Sequence, residues 1–251
     1  MQRYIINSKT ITLQIILVDI IMRRVYDFLC ALEQNNKREW FNGHKGEYLQ
    51  AQKIFNDFTL QLIEAIGGWD EEIRNSSLQL KDCTYRIYRD TRFSKNKAPY
   101  KTHMGAYICK GGKKSPYAGY YFHIEPDSGD GFLGKSLLAA GLYCPEPVVL
   151  QSLRDEISVN GDSILDAIAA TEGFQLETCN MLKRVPRGFE DVKPRWKELL
   201  KYKDFSIGEP LPADIISSDH LLDHVVARFQ KCRNFNNILN LAVDYAYEQN
   251  L

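Results

Sequence analysis

The sequence lacks the cysteine spacing that zinc ribbons, thioredoxin-like redox sites and iron–sulfur clusters use. Its six cysteines lie at least 26 residues apart, so no CxxC pair occurs. This excludes the usual ligand pattern of those sites. Most of the cysteines have apolar neighbours, as small buried hydrophobic residues do in a reducing compartment. We therefore expect a cytoplasmic protein.

The sequence also lacks net charge, because 32 Lys and Arg residues balance 32 Asp and Glu residues. Such a chain has no general attraction for nucleic acids or membranes. One segment departs from this balance. From Lys81 to Lys114, ten Lys and Arg residues face only two Asp residues. The uneven distribution predicts one surface that attracts anions.

A long hydrophobic run is missing as well. The most apolar stretch, Ile11 to Met22, is shorter than the roughly 20 residues that a membrane-spanning helix needs, and it contains Gln14 and Asp19. Arg23 follows directly, and no cleavage site with small residues is present, which argues against an export signal. We expect no membrane association, a doubtful extension at residues 1–21, and a single domain at residues 22–251.

The hydrophobic periodicity changes twice along the chain, from helical to strand-like and back. Helical spacing predicts a helix at Val25 to Leu32 and another from Lys45 to Ile66. Alternation predicts strands at Tyr85 to Arg89, Met104 to Lys110, Tyr117 to Glu125, Phe132 to Tyr143 and Phe174 to Leu182. Later helices are predicted at Leu150 to Val159, Ile164 to Ala170, Pro194 to Leu200, and from an N-cap at Ser218 to the C-terminal region. This order predicts an α+β fold, with a central antiparallel sheet flanked by N-terminal and C-terminal helices.

The segment Gly129 to Gly134 matches the pattern GxGxxG formally. A dinucleotide-binding loop would also need a helix that starts at the third glycine. The residues that follow are interrupted by Gly141 and end at Pro145, so they are too short and too broken for such a helix. We interpret the segment as a turn between strands.

Tyr121, His123 and Glu125 alternate along one predicted strand and therefore share a face. Arg86 and Tyr88 would share a face of a neighbouring strand and could extend this polar patch. Three interpretations are open: a solvated sheet face, the floor of a ligand site, or a metal site that His103 completes. Imidazole and carboxylate ligands suit zinc or iron, but no spacing signature supports the metal.

The connection from Arg89 to His103 is dense in cations and contains Phe93 and Tyr100. Arginine forks match phosphate or carboxylate groups, and aromatic rings can stack on bases. A solvated run of charge at a sheet edge is the competing interpretation. The candidate ligand-binding residues are Arg86, Arg89, Asp90, Arg92, Ser94, Lys97, Tyr100, Lys101 and Tyr121.

The stretch YRIYRDTRFSKNKAPYKTH resembles the signature of the family called domain of unknown function 2461. Asn35-Asn36 with Trp40-Phe41, and Gly141-Leu142-Tyr143 with Pro145, are similar to further pieces of that family. The likeness extends from about Val25 to the C-terminus. Tyr85 and Asn96 depart from the pattern, which usually has Phe and Asp there, so we assign no acid or base role to position 96. The resemblance implies a bacterial, cytoplasmic protein and assigns no reaction.

Our leading hypothesis is a protein that binds a phosphate-bearing or otherwise anionic ligand, either a small molecule or a nucleic acid. In it, His123 and Glu125 are the candidate catalytic residues, because histidine transfers protons near neutral pH. One alternative is a metal-assisted hydrolase or nuclease-like enzyme that uses His103, His123 and Glu125. Another is a protein-interaction module whose basic loop contacts an acidic partner. The sequence identifies no cofactor and predicts no oligomeric state.

Overall fold

The computed structural model of the protein describes residues 22–129 and 131–249. It has helices at both ends and a five-stranded antiparallel sheet in the middle, which confirms the predicted α+β fold. The predicted extension, residues 1–21, lies outside the described residues, and so does nearly all of the apolar run that ends at Met22. No helix within the described residues is long and apolar enough to cross a membrane.

Between residue 22 and the sheet, five helices are described. They are α1 (residues 22–34), α2 (Arg38–Gly43), α3 (Lys45–Gly67), α4 (Glu71–Asn75) and α5 (Leu80–Cys83). The helices predicted at Val25 to Leu32 and at Lys45 to Ile66 are confirmed as α1 and α3. Asp70 caps α4, because its carboxylate accepts hydrogen bonds from the Glu72 and Ile73 N–H groups.

The sheet has the strand order β1-β2-β3-β5-β4. Its strands are β1 (Met104–Cys109), β2 (Gly119–Ile124), β3 (Leu137–Leu142), β4 (Gln175–Leu176) and β5 (Phe205–Pro210). Gly111 and Gly112, both with positive φ, lie in the turn between β1 and β2, as predicted. The register places His123 opposite Gly105 on one side and opposite Leu137 on the other.

The C-terminal half is mainly helical. Its helices are α6 (Pro147–Ala169), α7 (Ala213–Ile216), α8 (Leu221–Lys231) and α9 (Arg233–Glu248). The predicted break at Asn160-Gly161 is present as a kink in α6, where Asn160 has non-helical φ and ψ. The short helix predicted at Pro194 to Leu200 is a pair of 3-10 turns. The final helix was predicted to be continuous from an N-cap at Ser218, which is wrong. It starts at Leu221, two residues after the expected first helical residue, and it is divided at Cys232, whose N–H donates to the Phe229 carbonyl.

One face of the sheet forms the core with the helices. Phe55 and Phe58 of α3 pack on Phe122 of β2, and Phe229 of α8 packs on Tyr120. These two strand residues alternate with Tyr121 and His123 along β2, so the latter lie on the opposite face. That opposite face is polar, and the predicted separation of the two sets of side chains is confirmed.

Three of the predicted strands need correction. Residues 85–89 form no strand. Thr84 bridges Ala106 of β1, whereas Tyr88, four positions later, bridges Tyr100, so the segment changes its pairing partner between them. The strand predicted from Phe132 starts only at Leu137, because the backbone N–H groups of residues 132–134 bond to a side chain and not to a neighbouring strand. The strand predicted at Phe174 to Leu182 shortens to β4 and a single bridge at Met181.

We expect the six thiols to react at two distinct rates with Ellman's reagent under native conditions. Cys144 and Cys179 are exposed, whereas Cys83, Cys109 and Cys232 are buried. Burial raises the pKa of Cys83 and Cys232 to about 12 and that of Cys109 to about 11, which removes the reactive thiolate. A Cys144→Ser, Cys179→Ser variant should lose the fast phase. Fast reaction of the three buried thiols in the folded protein would contradict this core.

Candidate functional site

Tyr121, His123 and Glu125 form a chain of hydrogen bonds along the polar face of β2. Tyr121 Oη lies 2.9 Å from His123 Nδ1, and His123 Nε2 lies 3.1 Å from Glu125 Oε2. The side chains of His123 and Glu125 are 0% exposed. The patch is therefore not the solvated sheet face that was one of its three interpretations. With the carboxylate ionised, Nε2–H donates to Glu125 and Nδ1 accepts the hydrogen bond from the Tyr121 hydroxyl.

A glycine-rich loop closes around the Glu125 carboxylate. The Phe132 N–H donates to Oε1, while the Leu133 and Gly134 N–H groups donate to Oε2 at 2.7 and 2.9 Å. The Ser136 hydroxyl completes the clamp, since it bonds to both the N–H and the carbonyl of Glu125. The formal GxGxxG segment thus directs these N–H groups at a carboxylate of its own chain, as a small anion-binding nest.

The hydrogen bonds fix the charge state of this cluster. Burial alone would raise the pKa of Glu125, but the neighbouring His103 and His123 rings and the loop N–H groups outweigh it and hold the pKa well below its usual range. Burial also lowers the pKa of His123, although the bond to Glu125 opposes this shift. Burial raises the pKa of Tyr121. At neutral pH the cluster therefore holds an ionised Glu125, a neutral His123 and a protonated Tyr121.

His103 is the fourth ionisable side chain of this cluster, although it lies just before β1. Its ring lies 5.0 Å from the rings of both His123 and Phe132, and its side chain is 12% exposed. His103 Nδ1 is 3.7 Å from Glu125 Oε1, too far for a hydrogen bond, and this buried nitrogen has no hydrogen-bond partner. One ligand atom from each of His103, His123 and Glu125 lies within 4.8 Å of the others.

The basic segment is a short hairpin that leads into β1. Tyr88 and Tyr100 pair at its base, where the Arg89 N–H donates to the Pro99 carbonyl and the Lys101 N–H donates to the Ile87 carbonyl. On its outer side, the Asn36 amide bonds to both the N–H and the carbonyl of Tyr100, at 3.2 and 3.0 Å. The asparagine side chain therefore takes the place of a further strand and fixes the hairpin to the α1–α2 corner.

The hairpin carries Arg86, Arg89 and Lys101, and both arginines lie near enough to Lys101 to repel its charge. Burial is the main cause that lowers the pKa of Lys101, and repulsion from the two arginines lowers it further. Within the described residues, none of the three forms an ion pair with a carboxylate. The Lys101 ammonium lies 5.4 Å from the ring centroid of Tyr85. Tyr85 was not among the predicted ligand-binding residues. The one sequence feature that distinguished it was its departure from the family signature, which usually has Phe at this position.

The remaining predicted ligand-binding residues of the hairpin are bonded to other groups of the chain or lie in its loop or in the core. Arg92 pairs with Asp90 at 2.7 Å, and the Lys97 ammonium bonds to the Thr91 carbonyl at 2.9 Å. Ser94 is half-buried in the loop. Tyr100 lies in the core, where its ring stacks on Phe41 with the centroids 3.9 Å apart.

Tyr88 was expected to extend the polar patch, but its ring packs beside Phe41 and Tyr100 instead. Its ring centroid lies 6.1 Å from that of Phe41 and 5.6 Å from that of Tyr100. The structure thus brings Tyr121, His123 and Glu125 together and groups Arg86, Arg89 and Lys101 nearby. It separates Tyr88 from the buried cluster.

A shallow cavity of 390 Å³ lies beside the hairpin. Its lining residues are Asn36, Lys37, Arg38, Glu39, Thr91, Lys97 and Pro99. Lys37 and Arg38 add two cations to the predicted set. Sequence reasoning missed them because they are more than 50 positions away from Lys97 in the chain, and only folding brings α2 next to the loop.

We expect Glu125→Gln to lower the free energy of unfolding by roughly 3 kcal/mol, because a neutral amide cannot accept all the bonds that the buried carboxylate accepts. Urea denaturation should show the loss as a lower midpoint. Glu156→Gln removes an exposed carboxylate from α6 and should have little effect. Equal midpoints for the two variants would show that the Glu125 clamp does not stabilise the fold.

Gly131→Ala should also destabilise the loop. A Cβ atom at this position would lie well inside van der Waals contact with the Glu125 carboxylate, whereas one at Gly46 in α3 would meet nothing within 4 Å. We expect a loss of about 1–3 kcal/mol for Gly131→Ala, as for other overpacked sites. Gly46→Ala should be neutral or slightly stabilising in the same denaturation experiment. No difference between the two would contradict the close approach of the loop to Glu125.

Comparison with known proteins agrees with the resemblance seen in the sequence. The family model described as conserved hypothetical protein (DUF2461) matches residues 24–237, which include the whole sheet, the hairpin and the Glu125 clamp. No curated protein and no solved structure matches the chain significantly. Because the match covers most of the sequence, the chain belongs to the family of conserved hypothetical proteins DUF2461.

Proposed function

We propose that this protein binds a phosphate-bearing or otherwise anionic small molecule through Arg86, Arg89 and Lys101. The observation that carries the proposal is the grouping of these three cations without an ion-paired carboxylate anywhere in the described part of the chain. The nearest acidic side chain in the hairpin, Asp90, is bonded to Arg92. Arg86 contributes to the low pKa of Asp90 but forms no hydrogen bond with it.

Like charges that lie close together repel each other, and the hairpin backbone holds these three in place against that repulsion. An anion placed among them would relieve the repulsion and accept charge-assisted hydrogen bonds. Two arginine forks offer the paired donors that phosphate oxygens match, and the Lys101 ammonium adds a point charge. The site is thus suited to an anion with several oxygens.

The surface next to these cations is aromatic. The ring of Tyr85 lies beneath the Lys101 ammonium, and Tyr121 lies on the polar face of β2. A flat organic group attached to the anion could lie on these rings. Acid–base catalysis by His123 and Glu125 stays a prediction. Because both side chains are fully buried, a ligand on this face would contact Tyr121 first.

The exposed tip of the hairpin allows small anions to be distinguished from oligonucleotides. Phe93 is 96% exposed and lies next to Arg92. A single-stranded nucleic acid would stack bases on such a ring, whereas a phosphorylated small molecule among Arg86, Arg89 and Lys101 would not need it. Weaker oligonucleotide binding in Phe93→Ala, with unchanged small-molecule binding, would identify the nucleic-acid contact.

The proposal predicts that Arg86→Gln, Arg89→Gln loses anion binding. Isothermal titration with inorganic phosphate, a nucleotide, a sugar phosphate and a short oligonucleotide, each in EDTA, should find a ligand for the wild type. Loss of charge-assisted bonds should weaken its affinity at least tenfold, at roughly 1.5–3 kcal/mol for each bond.

The matched control is Arg24→Gln, Arg233→Gln. It removes the same charge from exposed positions on α1 and α9 and should bind like the wild type. Equal affinity of the two double variants would overturn the proposal. So would the absence of binding by the wild type to every anion in the set.

A further inference from the structure

The geometry points to a second site: we propose that His103, His123 and Glu125 bind one divalent transition-metal ion. The three residues belong to the segment before β1, to β2 and to the end of β2. They differ from the residues of the anion site, so this inference does not rest on the proposed function. The site would lie under the Phe132 ring, which packs against both histidines.

The ligand atoms are already close to the separations that a metal requires. His123 Nε2 lies 3.1 Å from Glu125 Oε2, His103 Nδ1 lies 3.7 Å from Oε1, and all the ligand atoms lie within 4.8 Å of one another. Metal–ligand bonds of about 2.0–2.2 Å place neighbouring ligand atoms roughly 3–3.5 Å apart. A small movement of the His103 ring, the most exposed of the three side chains, would close the site.

The donor set specifies the class of metal. Two imidazole nitrogens and one carboxylate oxygen suit Zn²⁺, and the same set with open positions suits Fe²⁺. Ca²⁺ and Mg²⁺ prefer oxygen ligands, and the cluster offers too few of them. We therefore expect a first-row transition metal held by three protein ligands, with at least one further position for water or a substrate oxygen.

Two of the three ligands already have the outer partners that metal ligands usually have. Tyr121 orients His123 through Nδ1, and the loop N–H groups orient the Glu125 carboxylate. Such partners fix the direction of a ligand and its protonation state. With a metal on Nε2, the proton of His123 lies on Nδ1, and the hydrogen bond reverses so that Nδ1–H donates to the tyrosine oxygen.

The third ligand provides an independent indication of a missing partner. His103 Nδ1 is buried, faces the carboxylate from 3.7 Å, and has no hydrogen bond. Buried polar atoms nearly always have a partner, so each exception needs an explanation. A metal ion would supply the partner. It would also neutralise Glu125, whose buried charge pairs with no Lys or Arg in the described residues.

The competing explanation is that the cluster only clamps the loop. Three N–H groups occupy three of the about four acceptor positions of the carboxylate, and in this reading Nε2–H of His123 donates to it permanently. Such a cluster would bind no metal, and His103 would contribute only packing against Phe132. The two explanations differ in what removal of the His103 ring does.

The test uses the full chain, stripped with EDTA and dialysed, and titrated with Zn²⁺, Mn²⁺ or anaerobic Fe²⁺ alone. We expect one equivalent of at least one of these ions to bind per chain and to raise the melting temperature. His103→Ala should weaken binding by more than the roughly 10- to 100-fold that loss of an outer partner costs. Tyr121→Phe should show a loss within that range.

His220→Ala is the matched control, because it removes an exposed histidine that lies outside the cluster. It should bind the metal like the wild type. Since His103 Nδ1 has no hydrogen-bond partner, His103→Ala should still fold, and its circular dichroism and melting temperature in EDTA check this. Co²⁺ provides a second measurement through its visible absorption, which should appear in the wild type and be lost in His103→Ala.

The proposal is overturned if none of the three ions binds stoichiometrically to the wild type. It is equally overturned if His103→Ala binds metal as tightly as His220→Ala. Anion binding is measured in EDTA and metal binding without added anion, so failure of one site leaves the result for the other unaffected.

Discussion

The arrangement of side chains on the polar face of the sheet depends on one buried carboxylate. Glu125 orders residues 132–134 around itself, sets the tautomer of His123, and faces the unpaired nitrogen of His103. Burying a charge is unfavourable unless hydrogen bonds replace its hydration, and backbone N–H groups do so without bringing in a second charge. The negative charge of Glu125 is therefore held inside the protein by hydrogen bonds from its own chain.

The two faces of the sheet differ in character, one being hydrophobic and the other polar. Its core face carries Tyr120 and Phe122, which pack on α3 and α8, while the opposite face carries Tyr121 and His123. Because alternate residues of a strand point to opposite sides, the six residues of β2 contribute to both the hydrophobic face and the polar face. The buried polar cluster of Tyr121, His123 and Glu125 thus lies directly behind the hydrophobic core of the sheet.

Much of the fold could be predicted from periodicity, including α1, α3, the β1–β2 hairpin, the two faces of β2 and the kink at Asn160. Burial of the polar face could not, because it depends on a loop whose N–H groups bond back to Glu125. Tyr100 was predicted to bind a ligand, yet it stacks on Phe41, a contact between residues far apart in the sequence. β5 was missed because Gly208 and Pro210 weaken its strand pattern, and only pairing with β3 makes it a strand.

The Asn36 amide attaches the hairpin to the α1–α2 corner through two hydrogen bonds to the backbone of Tyr100. Since it satisfies both backbone groups of Tyr100, the Pro99–Lys101 strand segment cannot open without breaking two hydrogen bonds to the α1–α2 corner. The cations and this corner consequently form one cooperative unit in local unfolding. An anion bound as proposed at Arg86, Arg89 and Lys101 would therefore be detected as slower amide hydrogen exchange at Tyr100 and its hairpin neighbours.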